Sequence, residues 1–308
     1  MALASACTPP ASTSPNVEPD ATPTPRPARA VPPPTFVAGV ERLIGIGDVH
    51  GDLGAAREAL RIAGAIDDED RWIGGELVVV QTGDQLDRGD EEEAILELFE
   101  RLADEAHAAG GAFYSLLGNH EMMNVELDLR YVTEGGFADF ADTPWDAGDE
   151  AVEAYPDAER GRVAAFRPGG EWATLLAGHN TMMVVGDTAF VHGGILPAHV
   201  AYGIERANQE VHGWMLGESA APEPVIGGDG PVWSRDYSDG PGAAECAALQ
   251  DALDAIPAAR LVVGHTVQDH ANSACGGAVW RVDVGMAAYY GGPREVVEIV
   301  GGEVHVLD

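Results

Sequence analysis

Three apolar stretches of the sequence each lead into a glycine that is followed by a side chain able to bind a metal ion. The stretches are residues 42–46, 77–81 and 112–117, and we interpret each as a buried strand. They lead into Gly47-Asp48-Val49-His50-Gly51, Gly83-Asp84-Gln85-Leu86-Asp87-Arg88-Gly89 and Gly118-Asn119-His120-Glu121. Because the carboxyl ends of strands in an open α/β sheet lie together and form the ligand site, we expect these loops to converge.

The segments between these strands have helical patterns. Helices are predicted over residues 52–65 and 90–109, and the second has acidic residues in its first turn, where the helix dipole favours them. This β-α-β-α-β order indicates a layered α/β domain. Residues 128–170 are acidic with patchy periodicity, which predicts a partly helical insertion. Further elements are predicted as a helix over 201–216 and strands over 181–185, 188–192, 259–263, 278–284, 295–300 and 303–307.

Two later loops add imidazole side chains after predicted strands. These loops are Phe190-Val191-His192-Gly193-Gly194 and Val262-Val263-Gly264-His265-Thr266. Carboxylate, imidazole and amide groups without thiolates suit a pair of transition-metal ions. Any one of these loops alone would be interpreted as a turn, but five in order at strand ends predict a metal centre.

The five motifs together resemble the PPP branch of the calcineurin-like metallophosphoesterases, most closely the bacterial Shewanella-like protein phosphatases. The motifs are GDVHG, GDQLDRG, GNHE, HGG and GHT, and the segments Gly230-Pro231-Val232-Trp233-Ser234-Arg235 and Trp280-Arg281-Val282-Asp283-Val284-Gly285-Met286 support the subgroup. The resemblance covers about residues 43–292. It implies an α/β fold with α/β/β/α layers, a central β-sandwich and a metal site at the carboxyl ends of the strands.

The resemblance also implies how the metal ligands divide. Asp48 and His50 would hold the first ion, Asp84 would bridge both ions, and Asn119, His192 and His265 would complete the second site. Manganese, iron and zinc all remain open as the metals. His265 is followed by Thr266-Val267 and not by a second His two positions on, which favours the PPP branch.

Four further residues are predicted to act in catalysis. His120 would donate a proton to the leaving group and Asp87 would orient it, while a metal-bound hydroxide attacks phosphorus directly. Arg88 and Arg235 would bind the phosphoryl oxygens, because a guanidinium group matches them in shape and charge. The alternative for both arginines is a surface salt bridge. Tyr289 and Tyr290 are candidates for an active-site aromatic residue.

We therefore expect a phosphatase acting on a phosphorylated protein or a small phosphomonoester, with phosphotyrosine and phosphoserine or phosphothreonine both open. The alternatives are a dinucleotide polyphosphate hydrolase and a catalytically inactive binding protein tethered at the cell envelope. The chain carries a net charge of -34, and all 17 of its basic residues are Arg. Such a chain repels nucleic acid, so no nucleic-acid partner is expected.

The N-terminal segment and the cysteines yield predictions about where in the cell the protein is located. Residues 1–38 are rich in Pro, Ala and Thr and are predicted to be a disordered segment preceding a phosphatase domain over residues 39–308. Leu3-Ala4-Ser5-Ala6-Cys7 resembles a bacterial lipoprotein signal, which would tether the protein to a membrane through a lipidated Cys7, in the envelope or periplasm. A cytoplasmic location is the alternative.

Cys246 and Cys275 are predicted either to form a disulfide after export or to remain two reduced thiols. The sequence contains no run of 18 or more apolar residues, so no transmembrane helix is predicted.

Overall fold

The first three motifs follow strands that lie side by side in one sheet. The computed structural model describes Met1 and residues 31–308. Within this part of the chain, β2 (Arg42–Ile46), β3 (Val78–Gln81) and β4 (Ala112–Ser115) are parallel neighbours. β10 (Val296–Val300) pairs antiparallel with β2, and β11 (Glu303–Leu307) pairs antiparallel with β10. The carboxyl ends of the three parallel strands therefore meet at one edge of the sheet, as the sequence predicted.

A second sheet carries the two later histidine loops. Its strand order is β1 (Phe36–Val37), β5 (Met182–Val185), β6 (Thr188–Val191), β7 (Arg260–Val263), β9 (Val279–Arg281) and β8 (Asn272–Ala274). β6 and β7 run parallel as neighbours. Their carboxyl ends, each followed by a histidine, therefore also lie side by side.

The two sheets pack face to face through an apolar layer. Gly45 of β2 faces Phe190 and Val262 of the second sheet so closely that a Cβ atom there would crowd both side chains. The outer face of the first sheet is covered by α1 (Leu53–Ile62) and α2 (Glu92–Ala109), which share its hydrophobic core. A second core buries the other face of the second sheet against helices. The layers are thus α/β/β/α, and the predicted fold class is confirmed.

The remaining helices of residues 31–308 are short and cover the second sheet or the region above the strand ends. They are α3 (Asn119–Val125), α4 (Glu134–Asp139), α5 (Glu150–Glu153), α6 (Arg160–Phe166), α7 (Glu171–Leu176), α8 (Pro197–Tyr202), α9 (Ile204–Met215), α10 (Glu223–Ile226) and α11 (Ala243–Asp254), with a 3-10 turn at Cys275–Gly277. Three of them, α4 to α6, lie in the predicted insertion. None of the helices in this part of the chain is long and apolar enough to span a membrane.

The sequence predicted most elements but misplaced several. The helix expected over 201–216 is observed as α9, which begins only at Ile204 because Gly203, with a φ of 105°, separates it from α8. Regular structure begins earlier than predicted, because β1 lies inside the segment 1–38 expected to be disordered. Its neighbourhood is held by hydrogen bonds from Asn180 to the Pro33 carbonyl and from Asn208 to Thr35. The predicted lipoprotein signal and Cys7 lie outside the described residues.

Cys246 of α11 and Cys275 form a disulfide, with Cα atoms 5.2 Å apart. Of the two alternatives that the sequence left open, the structure has the disulfide and not two reduced thiols. The bond links α11 to the turn after β8, and the loop that it closes contains β7 and His265.

Candidate metal centre and active site

All six residues predicted as metal ligands lie together, buried where the two sheets meet. Four come from loops after the first sheet's parallel strands, and one of these, Asn119, opens α3. His192 and His265 follow β6 and β7 of the second sheet. Residues from both sheets therefore share one site.

Asp84 lies at the centre of the site. Its Oδ2 atom is 3.2 Å from His192 Nε2 and 3.6 Å from His50 Nε2. Two groups of nitrogen and carboxylate oxygen atoms, each within 4.8 Å of one another, could each hold a metal ion, and Asp84 belongs to both. One contains His50 and His120 and the other contains His192 and His265. Asp48 lies slightly farther out, with its Oδ2 atom 4.0 Å from His50 Nε2.

The backbone around these side chains is folded tightly. His50, Asp84 and His265 have positive φ angles of 41°, 56° and 66°, a conformation that is uncommon for residues other than glycine. A Cβ atom on Gly118 would overlap the Asp84 carboxylate, and one on Gly264 would overlap that of Asp48. Glycine is therefore required beside these two carboxylates, and the strained angles concentrate where such strain is often functional.

Hydrogen bonds fix which nitrogen of each imidazole faces the centre. His50 Nδ1 lies 3.0 Å from the Leu86 carbonyl and His192 Nδ1 lies 3.1 Å from the Thr82 carbonyl. Because a carbonyl oxygen can only accept, both Nδ1 atoms donate, and in the neutral form that binds a metal the Nε2 lone pair of each ring would face Asp84. Backbone partners of this kind orient metal-binding histidines in proteins.

In that form, His192 Nε2 and Asn119 Oδ1 are two acceptor atoms that face one another without a hydrogen between them. His192 Nε2 is 2.9 Å from Asn119 Oδ1 and 3.1 Å from His265 Nδ1. His265 Nε2 is buried without a hydrogen-bond partner. Lone pairs in such proximity repel unless a cation lies among them, so these residues fit a metal ion.

The electrostatics of the site favour the same conclusion. Burial lowers the pKa of His50 to about 4 and that of His265 to about 2, so both rings are neutral near pH 7, the form that binds metals. Burial and the Asp283 carboxylate hold the pKa of Asp48 well above its usual range. A bound cation would stabilise the ionised form of these carboxyl groups, which burial disfavours.

His120 and Asp87 form a buried pair at the edge of the centre. His120 Nδ1 is 2.6 Å from Asp87 Oδ2, while His120 Nε2 lies 3.8 Å from Asp84 Oδ2. Burial tends to lower the pKa of His120, but the Asp84 and Asp87 carboxylates outweigh it and the net effect raises the pKa. His120 can therefore carry a proton beside the metal centre.

The two predicted phosphate-binding arginines occupy different positions. Arg88 is half-buried in a groove that His50 also lines. Its guanidinium carbon lies 4.1 Å from the centre of the Tyr131 ring, and its Nη1 donates to the Tyr289 hydroxyl at 3.0 Å. The Tyr290 ring lies 5.5 Å from that of His50, so both candidate tyrosines lie near the site.

Arg235 is exposed and contacts the loop that carries His265. Its Nη1 atom donates to the His265 carbonyl at 3.0 Å and to Thr266 Oγ1 at 2.8 Å. The alternative for both arginines was a surface salt bridge. Among the ion pairs of residues 31–308, neither Arg88 nor Arg235 takes part in one.

The sequence analysis assigned no role to Glu121, although this residue lies inside a quoted motif. Its buried carboxylate accepts hydrogen bonds from the backbone N–H groups of Asp84, Gln85, Leu86 and Gly118. It therefore fixes the loop that carries Asp84. A buried polar network of Asn124, Glu92 and Arg162 around Asp87 was also missed.

Residues 41–269 match the calcineurin-like phosphoesterase family, and Shewanella-like protein phosphatase 2 of Arabidopsis thaliana is 43% identical over 293 residues, covering 84% of this chain and 75% of that protein. The chain belongs to the calcineurin-like phosphoesterase family. It is therefore a phosphoester hydrolase of a family that uses divalent metals.

Other relatives of this calcineurin-like phosphoesterase are also phosphatases by name. Shewanella-like protein phosphatase 1 of Plasmodium berghei (strain Anka) is 28% identical over 265 residues, covering 82% of this chain and 69% of that protein. The crystal structure of a cold-active protein-tyrosine phosphatase of a psychrophile Shewanella sp. has the same fold. Its TM-score is 0.72 at 24% identity, over 90% of this chain and 83% of that one.

Proposed function

We propose that this enzyme is a dinuclear-metal phosphatase that hydrolyses phosphate monoesters, with phosphoproteins as its substrates. The observation that carries the proposal is that Asp84 belongs to both candidate metal clusters, while His120 of one cluster is hydrogen-bonded to Asp87. The first feature suits two ions that share a carboxylate, and the second suits protonation of a leaving group.

In this proposal, Asp48, His50 and Asp84 would hold one ion, and Asp84, Asn119, His192 and His265 would hold the other. Manganese, iron and zinc all accept such oxygen and nitrogen ligands. Two ions held there would activate water and stabilise charge on the phosphoryl oxygens.

The remaining chemistry belongs to side chains of the chain itself. His120 donates its Nε2 proton to the oxygen of the departing group, and Asp87 stabilises the charged imidazole through Nδ1. Arg88, which shares a groove with His50, binds phosphoryl oxygens of the substrate. Arg235 does the same from the His265 loop.

The groove beside the metal centre supports a phosphoprotein over a polyphosphate. Besides His50 and Arg88, it is lined by four acidic residues, namely Asp52, Asp90, Glu91 and Glu134. Such a surface repels a chain of phosphates, which is the substrate of a dinucleotide polyphosphate hydrolase. The intact pair of His120 and Asp87 argues against an inactive binding protein.

We further propose that the protein is exported, with Cys7 as a membrane tether. The disulfide between Cys246 and Cys275 supports an oxidising compartment, where such bonds persist. The proposal includes phosphotyrosine and phosphoserine or phosphothreonine as substrate residues.

The test is a metal-dependent assay with three substrates: p-nitrophenyl phosphate, matched phosphopeptides, and diadenosine tetraphosphate. Hydrolysis of the first two after metal addition, lost with chelator, is expected. Turnover of diadenosine tetraphosphate alone would contradict the proposal. His120→Asn should lower turnover while metal content stays near normal, whereas His305→Asn, which changes an exposed histidine of β11, should leave both unchanged.

A further inference from the structure

A single arginine of the insertion reaches the catalytic pair from the far side. Arg162 of α6 has no exposed surface, and all five N–H groups of its guanidinium have acceptors. Nη2 donates to Asp87 Oδ1 at 3.3 Å and to Glu92 Oε1 at 3.1 Å. Nη1 donates to the Gly136 carbonyl at 2.8 Å and to Glu92 Oε2. A guanidinium this completely bonded has a fixed position.

Arg162 also determines the orientation of Asn124. Its Nε atom donates to Asn124 Oδ1 at 2.8 Å, so the amide nitrogen must face the opposite way. That nitrogen donates to Asp87 Oδ1 at 3.1 Å and to the His120 carbonyl at 2.9 Å. Asp87 Oδ1 is therefore held by two donors, and its other oxygen is left to accept from His120.

The charges in this cluster depend on Arg162. Asp87 and Glu92 are both fully buried, and Glu92 also accepts a hydrogen bond from the Asp87 backbone N–H. The Phe140 and Phe166 rings lie 5.1 Å and 5.0 Å from the Arg162 guanidinium, so apolar groups surround the cluster. Arg162 pairs with both of these carboxyl groups at once. Without Arg162, two buried carboxylates would face one imidazole, an arrangement that low-dielectric surroundings make costly.

We propose that Arg162 is a positioning residue for leaving-group protonation, acting through Asp87 and Asn124 on His120. The proposal rests on the proposed phosphatase function and deepens it. It makes α6, and with it the insertion, part of the catalytic machinery, since the insertion supplies the arginine that fixes the pair.

The consequence is a loss that depends on the leaving group. Protonation by His120 matters for a poor leaving group such as phenol and little for 2,4-dinitrophenol, which departs as a stable anion. A defect in the pair therefore slows phenyl phosphate far more than 2,4-dinitrophenyl phosphate. A general loss of folding or metal would slow both substrates equally.

The experiment compares Arg162→Met with Arg160→Met, a change on the same helix at a partly exposed arginine that bonds the Tyr155 carbonyl. For Arg162→Met, kcat with phenyl phosphate should fall on the order of 30- to 100-fold, and kcat with 2,4-dinitrophenyl phosphate less than about threefold. Metal content and KM should remain near those of the unchanged enzyme. Arg162→Lys, which keeps the charge, should recover part of the loss.

Two further variants test the route of the effect. In a His120→Asn background, Arg162→Met should cause no additional loss, because the group through which it acts is already absent. Asn124→Asp, nearly identical in volume, should produce a similar loss that depends on the leaving group. This variant remains informative if Arg162→Met fails to fold.

The outcomes separate this inference from the proposed function. If the unchanged enzyme and Arg160→Met show no metal-dependent hydrolysis, the proposed function is wrong. If they hydrolyse both substrates, three results each overturn the role of Arg162. These are an equal loss with both leaving groups, a full additional loss in the His120→Asn background, and normal activity of Asn124→Asp.

Discussion

Replacement of Asp87 by Asn keeps the shape of the side chain but removes its charge and two of its acceptor positions. One oxygen of Asp87 lies 2.6 Å from His120 Nδ1, and the other accepts from Asn124 Nδ2 and Arg162 Nη2. In Asp87→Asn, the new amide nitrogen must face either His120 or the two donors. His120 or the donor pair therefore loses its acceptor in either orientation.

The expected magnitude follows from the lost charged hydrogen bond. Hydrogen bonds to charged groups contribute about 1.5–3 kcal/mol, and each 1.4 kcal/mol changes a rate about tenfold. The hydrogen bond to Asp87 stabilises the protonated form of His120, which is the form that would act as the acid. We therefore expect kcat for a phenyl phosphate substrate to fall about 10- to 100-fold, with little change in KM.

The pH profile gives the sign of the effect. In the proposed mechanism, activity requires protonated His120, so the rate should fall as pH rises through its pKa. Burial lowers this pKa, whereas the Asp84 and Asp87 carboxylates raise it more strongly. Without the Asp87 charge, the alkaline limb of the profile should move to lower pH.

The assay is kcat against pH at saturating metal, with Asp68→Asn as control, because the Asp68 side chain is 96% exposed. The reasoning would be refuted by an alkaline limb that stays in place, or by a loss in kcat explained by loss of bound metal.

Three further predictions follow from other contacts. Asp84→Asn should lower the number of bound metal ions, measured by mass spectrometry of the metals, because Asp84 belongs to both clusters; two tightly bound ions in this variant would contradict the bridging role. Cys246→Ser with Cys275→Ser should lower the free energy of unfolding by about 3–4 kcal/mol, since the bond joins residues 29 positions apart; an unchanged chemical-denaturation midpoint would argue against this contribution. Burial outweighs the attraction of Arg162 and raises the pKa of Glu92 from 4.5 to about 7, so folding of the parent protein weakens as pH rises from the first value to the second and changes little above it. Between pH 5 and pH 8, the parent should therefore lose on the order of 2–3 kcal/mol relative to Glu92→Gln, and a pH-independent difference in unfolding free energy would contradict this.

Local sequence was sufficient to predict the strands and the loops that build the site. The β2, β3 and β4 strands are continuous apolar runs, and each is followed by a glycine that the geometry requires beside a carboxylate or in a turn. Parallel pairing then brings the loop residues together without further information. For this reason Asp48, Asp84 and Asn119 could be placed near one another before any coordinates were known.

Contacts between distant segments could not be predicted in the same way. Arg162 is 75 positions from Asp87 and lies in an acidic segment without clear periodicity, so nothing local indicated its burial. Glu121 stands inside a motif, but its role depends on the backbone of a loop 35 to 37 positions away. β1 was missed because its two residues become a strand only by pairing with β5.

The central claim, that Asp84 joins two metal ions in a hydrolytic site, is tested most directly by counting metals in the purified enzyme while following hydrolysis of p-nitrophenyl phosphate. We predict about two divalent ions per chain, loss of hydrolysis when a chelator removes them, and recovery when metal is returned. Full hydrolysis by a preparation shown to contain no bound metal would contradict the account.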